Sequence, residues 1–451
     1  MQRALAFDRS PPLSVAFRFF LNVPIFLLLA ALLLIWQALS GNPYIRWSPY
    51  VLATTHFLTL GVLASAMLGA MMQILPVAAH IQVLLPRVTS RLVHAGLSLG
   101  TISLAAGFLT ANPALHAAAV VLLAGAFLVF LLAVGGGLLR DSKRRSPGSG
   151  EILVAVRFAL LSLGAVLVLG LFMAGLRAGL WTAGNAAPGN WLQALPDLHV
   201  LWGLAGWVGL LVIGVSYQVI PIFQATEIYP RPVTQALAPS VFILLGIQTA
   251  VLATAAATDT VSILRSLPAG LLAIAYLIYG GVTAHLLWTR KRPSPEPTTW
   301  FWHTAMAALI LSSLTGAAYP WLTGPEPGSS SAVQMLLGTL FITGFAVSAV
   351  NGMLYKIVPF LLWHNAQRKA PVALPFMPKV KNFISERDAM RQYTAHLLAV
   401  VLLAISCLVP ALLLPGALAL GASAILLAWN IVRALRLYIV TCTRIEAAAV
   451  R

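Results

Sequence analysis

The sequence predicts an all-α, polytopic membrane protein: twelve transmembrane helices in three pseudo-repeated four-helix units. Three observations predict it. First, 60% of the 451 residues are apolar and 9% charged, whereas a water-soluble chain carries about 25% charged residues; the mean hydropathy is +0.90. Second, twelve apolar runs reach the roughly 20 residues that the hydrocarbon layer demands. Third, one eight-residue signature recurs three times at near-equal spacing. This composition excludes a water-soluble enzyme, a secreted domain and a disordered chain. Cys407 and Cys442 stand in no CxxC or CxxCH motif, which excludes a disulfide framework, zinc ribbons, iron–sulfur clusters and covalently attached haem.

The runs fall at roughly 16–38, 51–76, 93–111, 115–138, 153–175, 199–221, 236–257, 264–286, 301–321, 333–359, 394–414 and 417–439. Turn signals such as SGNP, TANP, DSKRRSPGSG and TRKRPSPEP separate them. The opening MQRALAFDRSPP lacks the apolar core and cleavage site of a signal peptide, so no removal is expected. With the N-terminus in the cytoplasm, the outward loops hold only Arg46, Arg177 and Arg265. The other Lys and Arg face inward, including Lys143–Arg145, Arg290–Arg292 and the run from Arg368 to Arg391. That asymmetry places both termini in the cytoplasm, in a bacterial inner membrane. It also accounts for the net charge of +17 without nucleic acid. The basic loop at about 365–392, with Pro371, Pro375 and Pro378, reads as solvated or facing lipid headgroups.

The signature is GAMMQILP at Gly69–Pro76, GVSYQVIP at Gly214–Pro221 and GMLYKIVP at Gly352–Pro359. It divides a single transmembrane domain, 1–451, into units of about 1–145, 146–293 and 294–451. The second helix of each unit is expected to stop at the proline, with Gln73, Gln218 or Lys356 reaching the interface. In the first helices Arg18, Arg157 and His303 precede the prolines by similar distances.

All eleven acidic residues fall in loops, at helix ends or in the tails, which counts against an ion-coupled transporter or proton pump. Among the histidines, His80, His94, His285, His303, His364 and His396 read as inner-face residues and His116 as an outer-loop residue. His56 and His199 differ. They stand 20 and 22 residues before Pro76 and Pro221, about 30 Å at 1.5 Å per residue, so both lie near the outer ends of their helices. Imidazoles at one depth on two helices can hold a haem or a copper ion; the ordinary alternative is hydrogen bonding to water or headgroups. His94 and His396 form the next pair, read as inner-surface positions. Met67, Met71, Met72, Met335 and Met353 read as packing, and Gln334 and Asn351 as interhelical hydrogen bonding. In a permease for a small neutral solute, Tyr217, Gln218, Asn351 and Tyr355 would line the path.

Twelve helices in three units, with His56 near the outer end of a second helix, resemble the catalytic subunit of the haem-copper oxidase superfamily. The likeness extends to C-type oxidases and nitric oxide reductases, whose second, sixth and tenth helices end in a G-x-x-Y-x-x-V-P-like pattern similar to Gly214–Pro221 and Gly352–Pro359. The opening FRFF, the span ending in Trp36 and the His56-led second span also look like the NnrS family of membrane haem proteins. The resemblance implies His56 as a haem ligand, with His199 about half a turn from a copper ligand. It also implies haem b or copper as cofactor and respiratory-chain proteins as partners. The binuclear-centre histidines are missing: the seventh run, QALAPSVFILLGIQ, has no HH pair, and the tenth has LLGTLF where H-x-H would stand. Conventional oxygen reduction is therefore not expected. The expected function is a haem- or copper-binding membrane protein in nitric oxide or respiratory-stress handling or electron transfer. A solute permease and a cofactor-free assembly partner of a respiratory complex are the alternatives.

Overall fold

With no water in hydrocarbon to satisfy backbone N–H and C=O groups, an apolar chain must bond its backbone internally, and helices do so within one segment. The computed structural model describes residues 6–141, 150–182, 191–258, 266–322, 329–368 and 377–449. Among these residues there is no strand. The described residues contain twelve helices long and apolar enough to cross a membrane: α1 (Leu13–Leu39), α2 (Pro49–Ala79), α3 (Pro86–Thr110), α4 (Pro113–Arg140), α5 (Gly150–Ala178), α6 (Ala194–Gln224), α7 (Arg231–Ala253), α8 (Ser266–Trp288), α9 (Pro297–Tyr319), α10 (Ser331–Gln367), α11 (Glu386–Ser406) and α12 (Pro410–Ala447). Lys143–Arg145, Asp259, Arg265, Glu326, Pro371 and Pro375 lie outside the described residues.

Most helices start earlier than their apolar runs, α3 and α11 by seven and eight residues. α3 opens at Pro86 and α11 at Glu386, because polar side chains supply their first turns. Ser385 caps α11, its hydroxyl accepting from the Asp388 N–H at 3.1 Å, and Glu386 and Asp388 lie at the positive end of the helix dipole. The earlier starts carry His94 and His396 about 12 and 15 Å into their helices. His396 is fully buried, not on the inner surface as the sequence suggested.

The signature prolines do not stop their helices either. α2, α6 and α10 run on to Ala79, Gln224 and Gln367, since losing one hydrogen bond at a proline is cheaper in lipid than exposing a whole helix end. α2 and α6 each close four residues beyond proline, with His80 (φ 60°) and Ala225 (φ 53°) left-handed.

The packing is cyclic. α4 lies against α5, α8 against α9, and α12 against α1, while α2, α6 and α10 pack on α1, α5 and α9. Glycine explains how closely the second helices approach the first. A Cβ on Gly69 would stand 2.9 Å from Phe19 Cβ, one on Gly214 2.6 Å from Ala155 Cβ, and one on Gly352 2.7 Å from Phe301 Cβ. Eight residues earlier a second glycine repeats the contact: Gly61 against Phe26, Gly206 against Ser162 and Gly344 against Ala308. Those partners lie only seven residues from Phe19, Ala155 and Phe301. The mismatch of eight against seven is absorbed by π-helical turns at Phe57–Ala64, Trp202–Gly209 and Leu340–Val347, whose hydrogen bonds each span one residue more than those of an α-helix. All three segments sit 19 to 12 residues before their proline. In this register Arg157 and His303 correspond, but the place expected for Arg18 is held by Leu21.

Hydroxyls satisfy part of the disturbed backbone. Ser65 and Ser348, both eleven residues before their proline, donate to carbonyls five residues back, Leu60 and Thr343, each at 3.5 Å. Ser65 also accepts from Asn22, whose Oδ1 meets His94 Nε2 at 3.0 Å. Ser348 meets His396 Nε2 at 2.8 Å.

Between α11 and α12, burial pushes the Cys407 thiol up to about 11, with the Thr339 hydroxyl 3.6 Å away. The thiol is therefore protonated near neutral pH, where only a thiolate reacts. Maleimide labelling of Cys407 is expected to be slow in the folded protein near neutral pH and to accelerate on denaturation. Rapid labelling of native protein would contradict this.

Candidate histidine-pair site

The sequence placed His56 and His199 at one depth; the structure brings their rings together. The ring centroids are 6.3 Å apart and the planes 24° from parallel. His56 ends the α-helical start of α2, immediately before its π-helical turn, and His199 stands three residues before that of α6. π-Helical turns disturb the local ladder and frequently occur at functional sites.

Each ring has one nitrogen committed to backbone. His56 Nδ1 lies 2.7 Å from the Leu52 carbonyl on its own helix, and His199 Nδ1 lies 3.0 Å from the Val166 carbonyl on α5. A carbonyl only accepts, so each Nδ1 carries the proton and each Nε2 keeps a lone pair. This is the state in which histidine ligates metal, its other nitrogen fixing the ring's orientation. Phe108 from α3 packs on His56 at 5.2 Å between centroids, and the Arg177 guanidinium lies over Phe108 at 5.4 Å.

His56 and His199 would be the residues to hold a haem or a copper ion. Two imidazoles sharing one metal ion through bonds of about 2 Å would have centres roughly 6 Å apart, of the order of the observed spacing. Among the described residues no group of three or more His, Cys, Asp or Glu side chains could hold a metal. A tetrahedral ion takes about four donors, whereas haem supplies the equatorial nitrogens and asks the protein only for axial ligands.

Glycine leaves the room His199 occupies. A Cβ on Gly170 of α5 would stand 2.7 Å from His199 Cε1. Gly170→Val is expected to push the ring off the Val166 carbonyl and weaken any shared cofactor about tenfold or more, as losing an outer-shell partner does. Cofactor content per folded protein checks it; unchanged content would contradict it.

Above the pair, the two nitrogens of one guanidinium tie three helix starts together. Arg46, in the loop before α2, pairs with Asp197 of α6 at 2.6 Å and donates to Gln334 of α10 at 3.1 Å. Gln334 in turn donates to the Tyr319 hydroxyl at 2.8 Å. Gln334 thus serves at the helix end rather than deep in lipid.

One further histidine belongs to this neighbourhood. His116, read from sequence as a loop residue, is 2% exposed in the first turn of α4. Its Nδ1 lies 3.0 Å from the Asn112 carbonyl, its Nε2 is buried without a partner, and its ring meets Phe108 at 5.4 Å. The signal was present in Asn112–Pro113, a helix cap followed by a first-turn proline; the Asn112 side chain accepts from the Ala114 N–H at 2.9 Å.

Of the four path candidates, Gln218 alone lines a half-open cavity of about 160 Å³ that is bordered mainly by α2, α6 and α10 at the proline end. Tyr217 donates to the Val233 carbonyl at 3.3 Å, Tyr355 accepts from Asn430 at 3.0 Å, and Asn351 Nδ2 lies 3.5 Å from His396 Nδ1. These three side chains do not line that cavity.

Compared with known proteins, the chain matches no family model and no curated sequence.

Proposed function

We propose that this multi-pass membrane protein is a haem protein whose iron is held between His56 Nε2 and His199 Nε2. The observation that carries the reading is the pair itself: two imidazoles with centroids 6.3 Å apart, each with Nδ1 tied to a backbone carbonyl and Nε2 left as a lone pair. With both imidazoles committed to it, a haem held here would supply one-electron transfer rather than oxygen reduction. The protein's own part is to fix two ring orientations, with Val166 and Leu52 as acceptors, and to keep bulk water from the site. Service in nitric oxide or respiratory-stress handling, with respiratory-chain partners, rests on the resemblance of the architecture to oxidase-like and NnrS-like proteins.

The matching glycines, π-helical turns and cyclic packing support a threefold duplication of a four-helix unit. The inward bias of Lys and Arg supports a bacterial inner membrane with both termini in the cytoplasm, which makes the proline end cytoplasmic. A reduced-minus-oxidised optical spectrum of the purified protein tests the cofactor. A haem band that disappears in His56→Ala is expected. Copper without haem would transfer the pair to the other metal, and a colourless preparation free of both would overturn the reading.

A further inference from the structure

α1 and α3 both start at the proline end and run parallel, with α2 crossing back between them. Arg18 and Arg91 each stand five residues after the first residue of their helix, about 7.5 Å along its axis. One turn further in, the two helices touch. Asn22, four residues after Arg18, meets His94, three residues after Arg91, with Oδ1 and Nε2 3.0 Å apart. Phe19 meets the same imidazole edge-on at 5.5 Å. That contact fixes the register, and one turn back it sets the two arginines at the same level on neighbouring helices.

The charge that acts on Arg18 is Arg91, of its own sign, and no carboxylate acts on Arg18 or His94. Other arginines at this end do have acids: Arg140 pairs with Asp141, Arg292 with Glu296, and Arg391 and Arg433 with Asp388. Arg18 Nε donates to the Ser14 carbonyl at 2.7 Å, which leaves its two terminal nitrogens for another acceptor. Like charges held together repel, and the same field attracts an anion that comes between them. Beyond the arginines the surface is apolar. Ile25 and Leu32, seven and fourteen residues after Arg18, are exposed, as are Leu92, Leu99 and Ile102 on α3. From Arg18 to Ile25 and Leu32 is about 10 and 21 Å along the helix, enough to cover one leaflet of a roughly 30 Å hydrocarbon core.

We propose that α1 and α3 bind one anionic phospholipid, its phosphate bridging Arg18 and Arg91 and an acyl chain lying along the apolar strip beyond them. Guanidinium is the side chain best matched to phosphate oxygens. A zwitterionic lipid carries its own cation to the same place and is held less tightly. A free phosphate makes no use of the strip. The site shares no residue with the histidine pair.

The test is native mass spectrometry of the full-length protein in neutral detergent, with phosphatidylglycerol or phosphatidylcholine of the same acyl chains added. One phosphatidylglycerol per chain is expected to stay bound where phosphatidylcholine does not. Arg18→Gln and Arg91→Gln should each weaken it about fivefold or more, whereas Arg436→Gln, which removes an exposed arginine of α12, should change it less than about twofold. Thermal unfolding adds a reversal of sign. Without lipid, Arg18→Gln relieves a repulsion and should be at least as stable as the unsubstituted protein; with phosphatidylglycerol it should be the less stable of the two. Equal retention of the two lipids, equal weakening by Arg436→Gln, or no retained lipid would overturn the proposal. So would inorganic phosphate that stabilises the protein in phosphatidylcholine nanodiscs as well as phosphatidylglycerol does, since the site would then belong to the free anion.

Discussion

His56→Ala and His199→Ala are each expected to lower bound haem by more than about tenfold, with little loss of folded protein. Losing an outer-shell partner of a ligand already costs about 10–100-fold in metal affinity, and removing the ligand itself costs more. The fold should tolerate both changes, because neither residue is fully buried. Each Nδ1 bond also ends on a backbone carbonyl that helix geometry can satisfy without it. The measurement is haem per chain in protein that elutes as a single species. Equal loss in the two variants is required by a shared ion; loss in only one would mean that the rings serve separate purposes.

The second large effect concerns the π-helical turn of α6. A Cβ on Gly209 would stand 2.0 Å from the Tyr276 hydroxyl, which donates to the carbonyl of Ala205 within that turn. Gly209→Ala therefore both overpacks the contact and evicts a buried hydroxyl from its acceptor, with no water at hand to replace either partner. Overpacking costs about 1–3 kcal/mol and a buried orphan about as much again, so destabilisation of about 2–5 kcal/mol is expected. Thermal unfolding in detergent checks it. Tyr276→Phe should relieve part of the clash, so the double variant should be less destabilised than the sum of the singles; strict additivity would contradict the contact.

The twelve spans were legible because the bilayer leaves so few options: long apolar runs must be helices. The misplaced boundaries share one cause. Segments such as RVTSR before His94 and ERDAMRQ before His396 are polar enough to read as loop, yet they form the first turns of α3 and α11, where headgroups and water meet the helix. The prolines misled for the opposite reason, since a breaker in water is tolerated within a membrane helix. The histidine pair was half visible. Equal depth could be counted in residues from Pro76 and Pro221, but the facing of the rings depends on π-helical turns that no residue type announces. Their trace in the sequence is the spacing of eight between Gly61 and Gly69, Gly206 and Gly214, and Gly344 and Gly352, which gains meaning only beside the spacing of seven on the first helices. His116 was hidden because one helix ends and the next begins within two residues at Ala111–Asn112, and Gly107 leaves space for its ring under α3.

Electron paramagnetic resonance of the oxidised, full-length protein from haem-replete cells tests the shared ion most directly. One low-spin ferric centre per chain, with the signal of two imidazole ligands and its loss in either single alanine variant, is the predicted result. A preparation without iron or copper, or a high-spin haem that survives both substitutions, would contradict it.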